Sequence, residues 1–508
     1  MKPDDAQSRR PTLTPLRSAA ALSGLLLASC AVGPNFKAPP APEAKSYVPG
    51  TLAPAMSAAA APGGDAQHFL DGQDVAGQWW TSFQSPQLNA LIERAFAHSP
   101  TLAAAQAALR NANETLAAQR GAYYPTVTGS FQAEREKASG AAFGLPQLGS
   151  FLYTLNNASV NLSYGIDVFG GTRRQVESQQ AQRDYERFAL EASYLTLTTN
   201  IVTTAVNEAS LREQIKATED IAQSQQRQLD IVQRRVTAGG ASRTDVAQQQ
   251  ATLSNTLATL PALRTELAQY RNQLAIYVGD LPADYAAGAF TLDSLTLPTD
   301  LPLSLPSKLV EHRPDVREYE AQLHEATAQV GVATANMLPQ LTLTASYGGE
   351  ATRFSDMFNP ASNVWSLIGG VTQPIFEGGK LRHQRQAAIA AAQEAAANYK
   401  ATVLTAFQNV ADTLIALQGD ADAFAASDTA ARAAAESLKL VQAQYKSGGA
   451  SYTQVLSSEQ TYQSAVLTLV KARALRYADT AALFQALGGG WWNRADDKSD
   501  SSDCCKGS

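Results

Sequence analysis

The chain has 508 residues, a formal net charge of −6, 45% hydrophobic residues and three cysteines. That length exceeds one ordinary domain. The mild acidity gives no basic footprint and argues against a nucleic-acid partner, and three cysteines, two of them adjacent in a polar tail, exclude a disulfide framework.

Residues 1–29 read as a lipoprotein signal peptide. Lys2, Arg9, Arg10 and Arg17 form a positive n-region, and Ser18 to Leu27 is an apolar stretch too short to span a bilayer. Leu27-Ala28-Ser29-Cys30 places small residues before a cysteine, the pattern a lipoprotein signal peptidase reads, so Cys30 is the expected lipidation site. The plainer alternative is an ordinary secretory signal with an incidental cysteine. Ala31, in place of the aspartate that retains lipoproteins at the inner membrane, implies the outer membrane of a Gram-negative bacterium. Residues 30–73, rich in Pro, Ala and Gly, read as an extended lipidated linker. No 18-residue apolar run follows Cys30, so any membrane span must be made of strands.

Residues 74–279 form a first structural unit. Trp79-Trp80 opens an amphipathic helical segment with Phe83, Leu88, Leu91, Ile92 and Phe96, and Ser99-Pro100 starts a second helix that ends at Tyr124-Pro125. Two strands follow, Thr126–Ala133 and Ala158–Val168. In the second, Val160, Leu162, Tyr164, Ile166 and Val168 alternate with Ser159, Asn161, Ser163, Gly165 and Asp167, giving one apolar and one polar face over a length that crosses a bilayer when tilted. Thr172 to Ala238 then contains no glycine and no proline, which predicts a helix about 100 Å long. Phe188, Leu195, Val202 and Ala209 step by seven along it, a coiled-coil spacing. Gly239-Gly240 ends the helix, Ser242 caps a return helix to about Val278, and Pro261 is expected to kink that helix.

Residues 280–306 read as an inter-repeat linker, and the pattern then recurs over 307–490. Pro100 and Tyr124-Pro125 recur as Pro314 and Leu338-Pro339; Val168-Phe169 as Ile375-Phe376; Gly239-Gly240-Ala241-Ser242 as Gly448-Gly449-Ala450-Ser451; Thr244 and Val246 as Thr453 and Val455; and Gly279 as Gly488. Such steady offsets indicate duplication. Strands are expected at 341–347 and 365–372, and a second long helix over Lys380–Ser447. Residues 491–508 read as a disordered polar tail carrying Cys504 and Cys505 without a ligand set around them.

Four bilayer-length strands cannot close a barrel, because the smallest membrane barrels need about eight. An open sheet edge in lipid costs several kcal/mol per unpaired group, so the chain must close by association. Three copies give twelve strands and a pore, whereas two would be nearly filled by side chains. The fold class is therefore mainly α with membrane β: an internally duplicated chain whose homotrimer forms a 12-strand outer-membrane barrel and a 12-helix periplasmic tube. No phosphate-binding loop occurs, the five histidines (68, 98, 312, 324, 383) are scattered, and no cofactor, metal or catalytic site is expected.

These features resemble the TolC family of outer-membrane channels, and most closely its NodT-type lipoprotein branch. The resemblance is carried by Cys30 with Val32-Gly33-Pro34-Asn35-Phe36 and Pro39; by Trp79-Trp80 with Phe83, Pro86 and Leu88; by His312-Arg313-Pro314-Asp315-Val316; and by the two tips, Arg235–Val246 and Tyr445–Val455. It implies the exit duct of a tripartite efflux pump for drugs, organic acids or metals, working with a periplasmic adaptor and an inner-membrane transporter of the RND type. It further implies a gate at the tips, where Tyr445 matches a tyrosine that bonds the aspartate matched by Asp245; the plainer role for Asp245 is a first-turn residue favoured by the helix dipole. Thr244 and Thr453 flank the gate, and Gly239, Gly240, Gly448 and Gly449 are expected to meet the adaptor. Where some relatives carry ring carboxylates this chain has Gln454 and Ser457, which predicts weaker cation block and leaves Asp245 as the acidic-ring candidate. The rival readings are an exit duct for type I protein secretion and, in another class, a trimeric coiled-coil adhesin or spacer.

Overall fold

The computed structural model describes residues 31–44, 46–50, 52–286 and 288–494. Cys30, the signal peptide, Cys504 and Cys505 lie outside the described residues. The described residues divide into two compact units: 31–38, Asn111–Asp184 and Ala321–Ala397 form the first, and 39–110, Tyr185–Glu320 and 398–494 the second. Each unit draws matching pieces from both halves of the chain, so the units cut across the expected boundaries 74–279 and 307–490.

The first unit holds a four-stranded antiparallel sheet. Its strands are β2 (Thr126–Ser139), β3 (Ser150–Ile166), β5 (Gln340–Ala351) and β6 (Asn363–Thr372), in the order β2-β3-β5-β6. The register aligns the alternation of all four. Val127 lies opposite Leu162, Leu162 opposite Ala345 and Ala345 opposite Leu367, while Val160, Tyr347 and Trp365 form another row of the same face. The other face carries Thr126, Ser163 and Thr344 in one row and Ser159, Ser130, Ser346 and Ser366 beyond it; Ser130 and Ser159 bond hydroxyl to hydroxyl at 2.9 Å, as do Ser346 and Ser366 at 2.8 Å. Ile368 falls in the polar row with Thr344.

Two strands are longer than their apolar alternation indicates. β2 runs past Ala133 to Ser139, and β3 starts at Ser150 rather than Ala158. Beyond Asn156↔Ala351 the β2–β3 hairpin overhangs the rest of the sheet, pairing Glu134↔Leu155 through Ser139↔Ser150. Backbone pairing continues there without a buried face, so side-chain periodicity does not mark it.

Helical hairpins make up most of the second unit, and their two long helices begin within Asn111–Asp184 and Ala321–Ala397 of the first. α3 (Gly171–Thr237) and α7 (Lys380–Lys446) are 67 residues each, and their return helices α4 (Arg243–Tyr277) and α8 (Tyr452–Ala486) are 35 residues each. Equal lengths in both halves are the structural form of the duplication. α4 continues through Pro261 as one helix. Phe188, Val202 and Ala209 of the seven-residue series are buried and Leu195 half-buried. Ile201, Val202, Ala205 and Val206 share a core with Ala406, Val410, Leu414 and Leu417 and with the aromatic entry segment Trp79, Trp80 and Phe83. That segment is a 3-10 turn followed by α1 (Pro86–His98), which Ser85 caps, and then α2 (Pro100–Arg120).

Three stretches read as linkers or tail are packed instead. β1 (His68–Asp71) pairs in parallel with β4 (Asp300–Leu303), joining residues 30–73 to 280–306. Phe290, Leu292, Leu295, Leu297 and Leu301 are buried in the main core, and the Gln67 amide donates to Pro298 O at 2.8 Å. Trp491 donates its indole N–H to His312 O at 2.6 Å and Trp492 stacks on the His312 ring at 4.0 Å, so the chain stays docked through Asn493. Irregular segments bury isolated apolar side chains at no fixed period, which hides them from a periodicity reading. α5 (Pro306–His312) then leads into α6 (Pro314–Ala335), the counterpart of α2.

Candidate functional site: membrane sheet, anchor socket and hairpin tips

The sheet's apolar face is uncovered. Val127, Phe131, Val160, Trp365, Leu367 and Val371 are all exposed, which on this scale marks a surface meant for another apolar medium. From Ala158 to Ile166 the face spans nine residues, about 30 Å along the strand and about 23 Å in height at a 40° tilt. Aromatic residues bracket it. Phe131, Tyr347 and Trp365 lie at the overhang end, where Phe354 meets Phe131 edge-on at 5.9 Å; Tyr124 and Phe376, 72% and 88% exposed, flank the strand ends that join the helices. A band of this height between aromatic girdles is the dimension of a bilayer core. The opposite face is polar, and Glu134, Glu136 and Glu350 occupy it toward the overhang. β2 and β6 each leave one edge without a partner strand among the described residues.

Next to the sheet, in the same unit, residues 31–36 sit in a socket. The Val32 N–H donates to Phe169 O at 3.0 Å, and Arg174 donates from Nε to Val32 O at 3.2 Å and from Nη2 to the Asn35 side chain. Arg174, whose side chain is only 5% exposed, also pairs with Glu177 at 2.6 Å; the other Glu177 oxygen meets His324 Nε2 at 3.0 Å, and His324 stacks on Phe36 at 4.3 Å. Gly33 has φ +92°, and a Cβ there would stand 2.5 Å from Gly331 Cα. Glycine at 33 lets its backbone lie this close to residue 331, while a Cβ on Gly331 would meet the Arg174 side chain at 2.7 Å, so glycine there makes room for the arginine. The residue next to Cys30 is thereby held against Gly170, where a Cβ would meet Ala31 Cα at 2.8 Å.

In the second unit, both hairpin tips are built alike. Gly239 and Gly448 take positive φ (+76° and +82°), and Gly240 and Gly449 donate back to Arg235 O and Gln444 O at 2.7 and 2.8 Å. This is the Schellman closure of a helix C-terminus. Ser242 and Ser451 then cap α4 and α8 in full capping boxes: Ser242 pairs with Asp245, and Ser451 with Gln454. All four tip glycines are exposed, as are Thr244, Thr453, Gln454 and Ser457.

The capping box commits Asp245. Its Oδ2 accepts the Ser242 N–H at 2.9 Å, and no hydrogen bond joins it to Tyr445 among the described residues. Tyr445 instead lies under the Arg235 guanidinium at 4.6 Å and against the Tyr452 ring at 5.3 Å. Within one chain, then, Asp245 holds the first-turn role, and Gln454 fills the same place at the other tip. Tyr452, which sequence reasoning passed over, is buried and donates its hydroxyl to Gln249, whose amide N–H in turn donates to Gln225 O at 2.9 Å. The bridge fastens α8 to the α3–α4 hairpin just above the tips.

Higher on the same helices lies a cavity of about 310 Å³ lined by Asp220, Ser224, Gln225, Glu459 and Tyr462 among others. Gln225 is 1% exposed and Glu459 5%. Both polar atoms of the Gln225 amide and Oε2 of Glu459 lack a partner among the described residues. Burial pushes the Glu459 carboxyl up to about 7, against a lowering hydrogen bond from Gln442. The run Gln223–Gln228 reads in sequence as an exposed polar face, and nothing in its composition marks Gln225 as the residue turned inward. Asp420 is likewise raised to about 7, by burial and then by its neighbour Asp479, and Glu318 to about 7, by burial and then by Asp315 and Glu186.

Among the described residues no helix is long and apolar enough to cross a membrane and no cluster could hold a metal ion. Residues 91–280 and 305–489 match the family model described as outer membrane efflux protein, one match per duplicated half. The chain is similar to the pyoverdine export outer membrane protein OpmQ of Pseudomonas aeruginosa, at 30% identity over 83% of this chain and 89% of that one. It is 28% identical to nodulation protein T of Rhizobium leguminosarum bv. viciae over 94% of each chain. Its fold superposes on the outer-membrane channel OprN with a TM-score of 0.81 at 25% identity, covering 91% of this chain and 100% of that one.

Proposed function

Because the chain belongs to the outer membrane efflux protein family, we propose that three copies close into a 12-strand barrel continuous with a 12-helix periplasmic tunnel. The assembly is a passive exit duct for small molecules, not an enzyme. A periplasmic adaptor hands it cargo from an inner-membrane transporter of the RND type. The observation that carries this reading is the four-stranded sheet with one apolar face, one polar face and two unpaired edges. Unpaired strand edges in lipid cost several kcal/mol per group, and pairing β2 of one copy with β6 of the next removes both.

The same reading gives the other sites their roles. Cys30, lipidated after removal of residues 1–29, sits one residue before the socket, so its acyl chains enter the membrane beside the strand–helix turn at Phe169-Gly170. The four tip glycines, exposed and side-chain-free, present backbone to the adaptor. Asp245, with Thr244, and Gln454, with Thr453 and Ser457, surround the periplasmic entrance, where Tyr445 and its Arg235 partner brace the closed tip. Arg234, Arg235, Arg243 and Lys446 outnumber the carboxylates there, which supports weak block by cations.

Reconstitution of the full-length protein in planar bilayers tests the duct: discrete, long-lived conductance from a species that crosslinks as a trimer is expected, and a non-conducting trimer sinks the reading in favour of an envelope spacer. In-cell crosslinking followed by affinity purification tests the partners. Recovery of an adaptor with an RND transporter is expected; recovery of a protein-secreting transporter instead redirects the cargo. For Asp245, tight block by a trivalent cation that Asp245→Asn abolishes supports a ring, and tight block untouched by that change removes it.

A further inference from the structure

The β2–β3 overhang sorts its charges by face. Glu134-Arg135-Glu136-Lys137 alternates in sign, and the strand period of two turns Arg135 and Lys137 to the face of Val127 and Phe131, while Glu134 and Glu136 go to the polar face. Both cations are exposed, and neither has an ion pair among the described residues. Toward the middle of the sheet, the same face carries a groove of about 780 Å³. Phe131, Val160 and Tyr347 form its floor, and Met357 and Phe358 of the loop 352–362 form one wall. That loop is folded down onto the sheet rather than extended from it. Met357 is 3% exposed, and a Cβ on Gly349 would stand 2.1 Å from Met357 O, so glycine is what lets the loop lie there. Arg353 at the start of the loop is exposed; the loop's acid, Asp356, accepts from the Ser355 hydroxyl at 3.2 Å.

We propose that this face docks a phosphorylated glycolipid of the outer leaflet, of the bisphosphorylated lipid A type. An acyl chain lies in the groove and a phosphate meets Arg135 and Lys137. The inference rests on the channel reading, which makes this face lipid-facing and the overhang extracellular. An apolar groove alone accepts any acyl chain. The paired cations select the headgroup, because charge-assisted bonds to phosphate are about twice as strong as neutral ones and a doubly phosphorylated headgroup can engage both. Their height fits. Arg135 stands four residues beyond Phe131, about 13 Å along the strand and about 10 Å in height at a 40° tilt, the separation of a headgroup from the acyl boundary.

Detergent-solubilised full-length trimer is titrated with bisphosphorylated lipid A, with the same lipid stripped of both phosphates, and with phosphatidylglycerol. Lipid A is expected to bind about tenfold tighter than either, and Arg135→Gln/Lys137→Gln is expected to remove that advantage while bilayer conductance stays at the wild-type value. Equal binding of phosphatidylglycerol, or undiminished lipid A affinity in the double variant, overturns the proposal. Should the double variant fail to assemble, wild-type protein decides: raising salt from about 50 to about 500 mM must weaken lipid A binding and spare the dephosphorylated lipid, and salt-insensitive lipid A binding overturns the proposal. Selective lipid A binding by a protein that never conducts sinks the channel reading alone.

Discussion

Replacing Glu459 with glutamine should stabilise the protein above neutral pH. Glu459 is 5% exposed, its Oε2 has no hydrogen-bond partner among the described residues, and burial raises its carboxyl to about 7. Asp220 lines the same cavity, and Gln442 is the one group opposing the shift. The folded chain therefore binds a proton that the unfolded chain, with an ordinary carboxyl near 4.5, releases. Stability from this proton is complete below about pH 4.5 and is lost as pH rises through about 7. The gap amounts to about 3 kcal/mol per chain once Glu459 is ionised. Glutamine keeps the shape and abolishes the titration. Thermal melting of purified wild type and Glu459→Gln from pH 5 to pH 8.5 should give curves that nearly coincide at low pH and diverge upward through neutrality, with the variant more stable. Other raised carboxyls, Asp420 and Glu318, add a slope common to both proteins, so the difference between the two is the measured quantity. A variant that melts below wild type at pH 8.5, or a difference that does not change with pH, refutes the reasoning.

Arg313→Met should cost about 2–4 kcal/mol, because buried Arg313 donates to Ala406 O and Ala486 O at 3.3 and 3.1 Å and pairs twice with Asp315, and the change orphans those acceptors; melting at pH 7 reads it. Gly33→Val should release residues 31–36 from their socket, since φ +92° and the 2.5 Å approach to Gly331 both forbid a side chain; limited proteolysis near Pro39 should accelerate while conductance persists. Ser242→Ala and Ser451→Ala should each cost about 1 kcal/mol by removing a capping box and should raise deuterium uptake at one tip only. Neutralising Glu134, Glu136 and Glu350 together should lower the cation preference of the open pore, measured as a reversal potential in a salt gradient, because all three lie on the polar face of the sheet; an unchanged potential places selectivity elsewhere.

Much of this architecture is legible in the residues themselves. A run without glycine or proline bounded by a glycine pair can only be a long helix with a sharp end, and α3 and α7 begin and end within a few residues of those marks. The strand alternation is equally local, and it survives into the register as one apolar and one polar face. The duplication is visible because it preserves offsets, and it returns as helices of 67 and 35 residues in each half.

What the sequence by itself determined, then, was everything set by neighbours in the chain: helix, strand, cap, tip and repeat. Tertiary structure decided the rest, for reasons of partnership across distance. It packed the Pro-rich stretches by joining β1 to β4, a pairing between segments more than two hundred residues apart. It showed that Val32–Phe36 is a plug for a socket made by Arg174, Glu177 and His324. At the tips it gave Asp245 to its own capping box and Tyr445 to Arg235, and in the glutamine run it turned Gln225 alone inward beside Glu459. A side chain's partner, and hence its charge and its role, depends on which distant element arrives beside it, and periodicity along one chain carries no record of that.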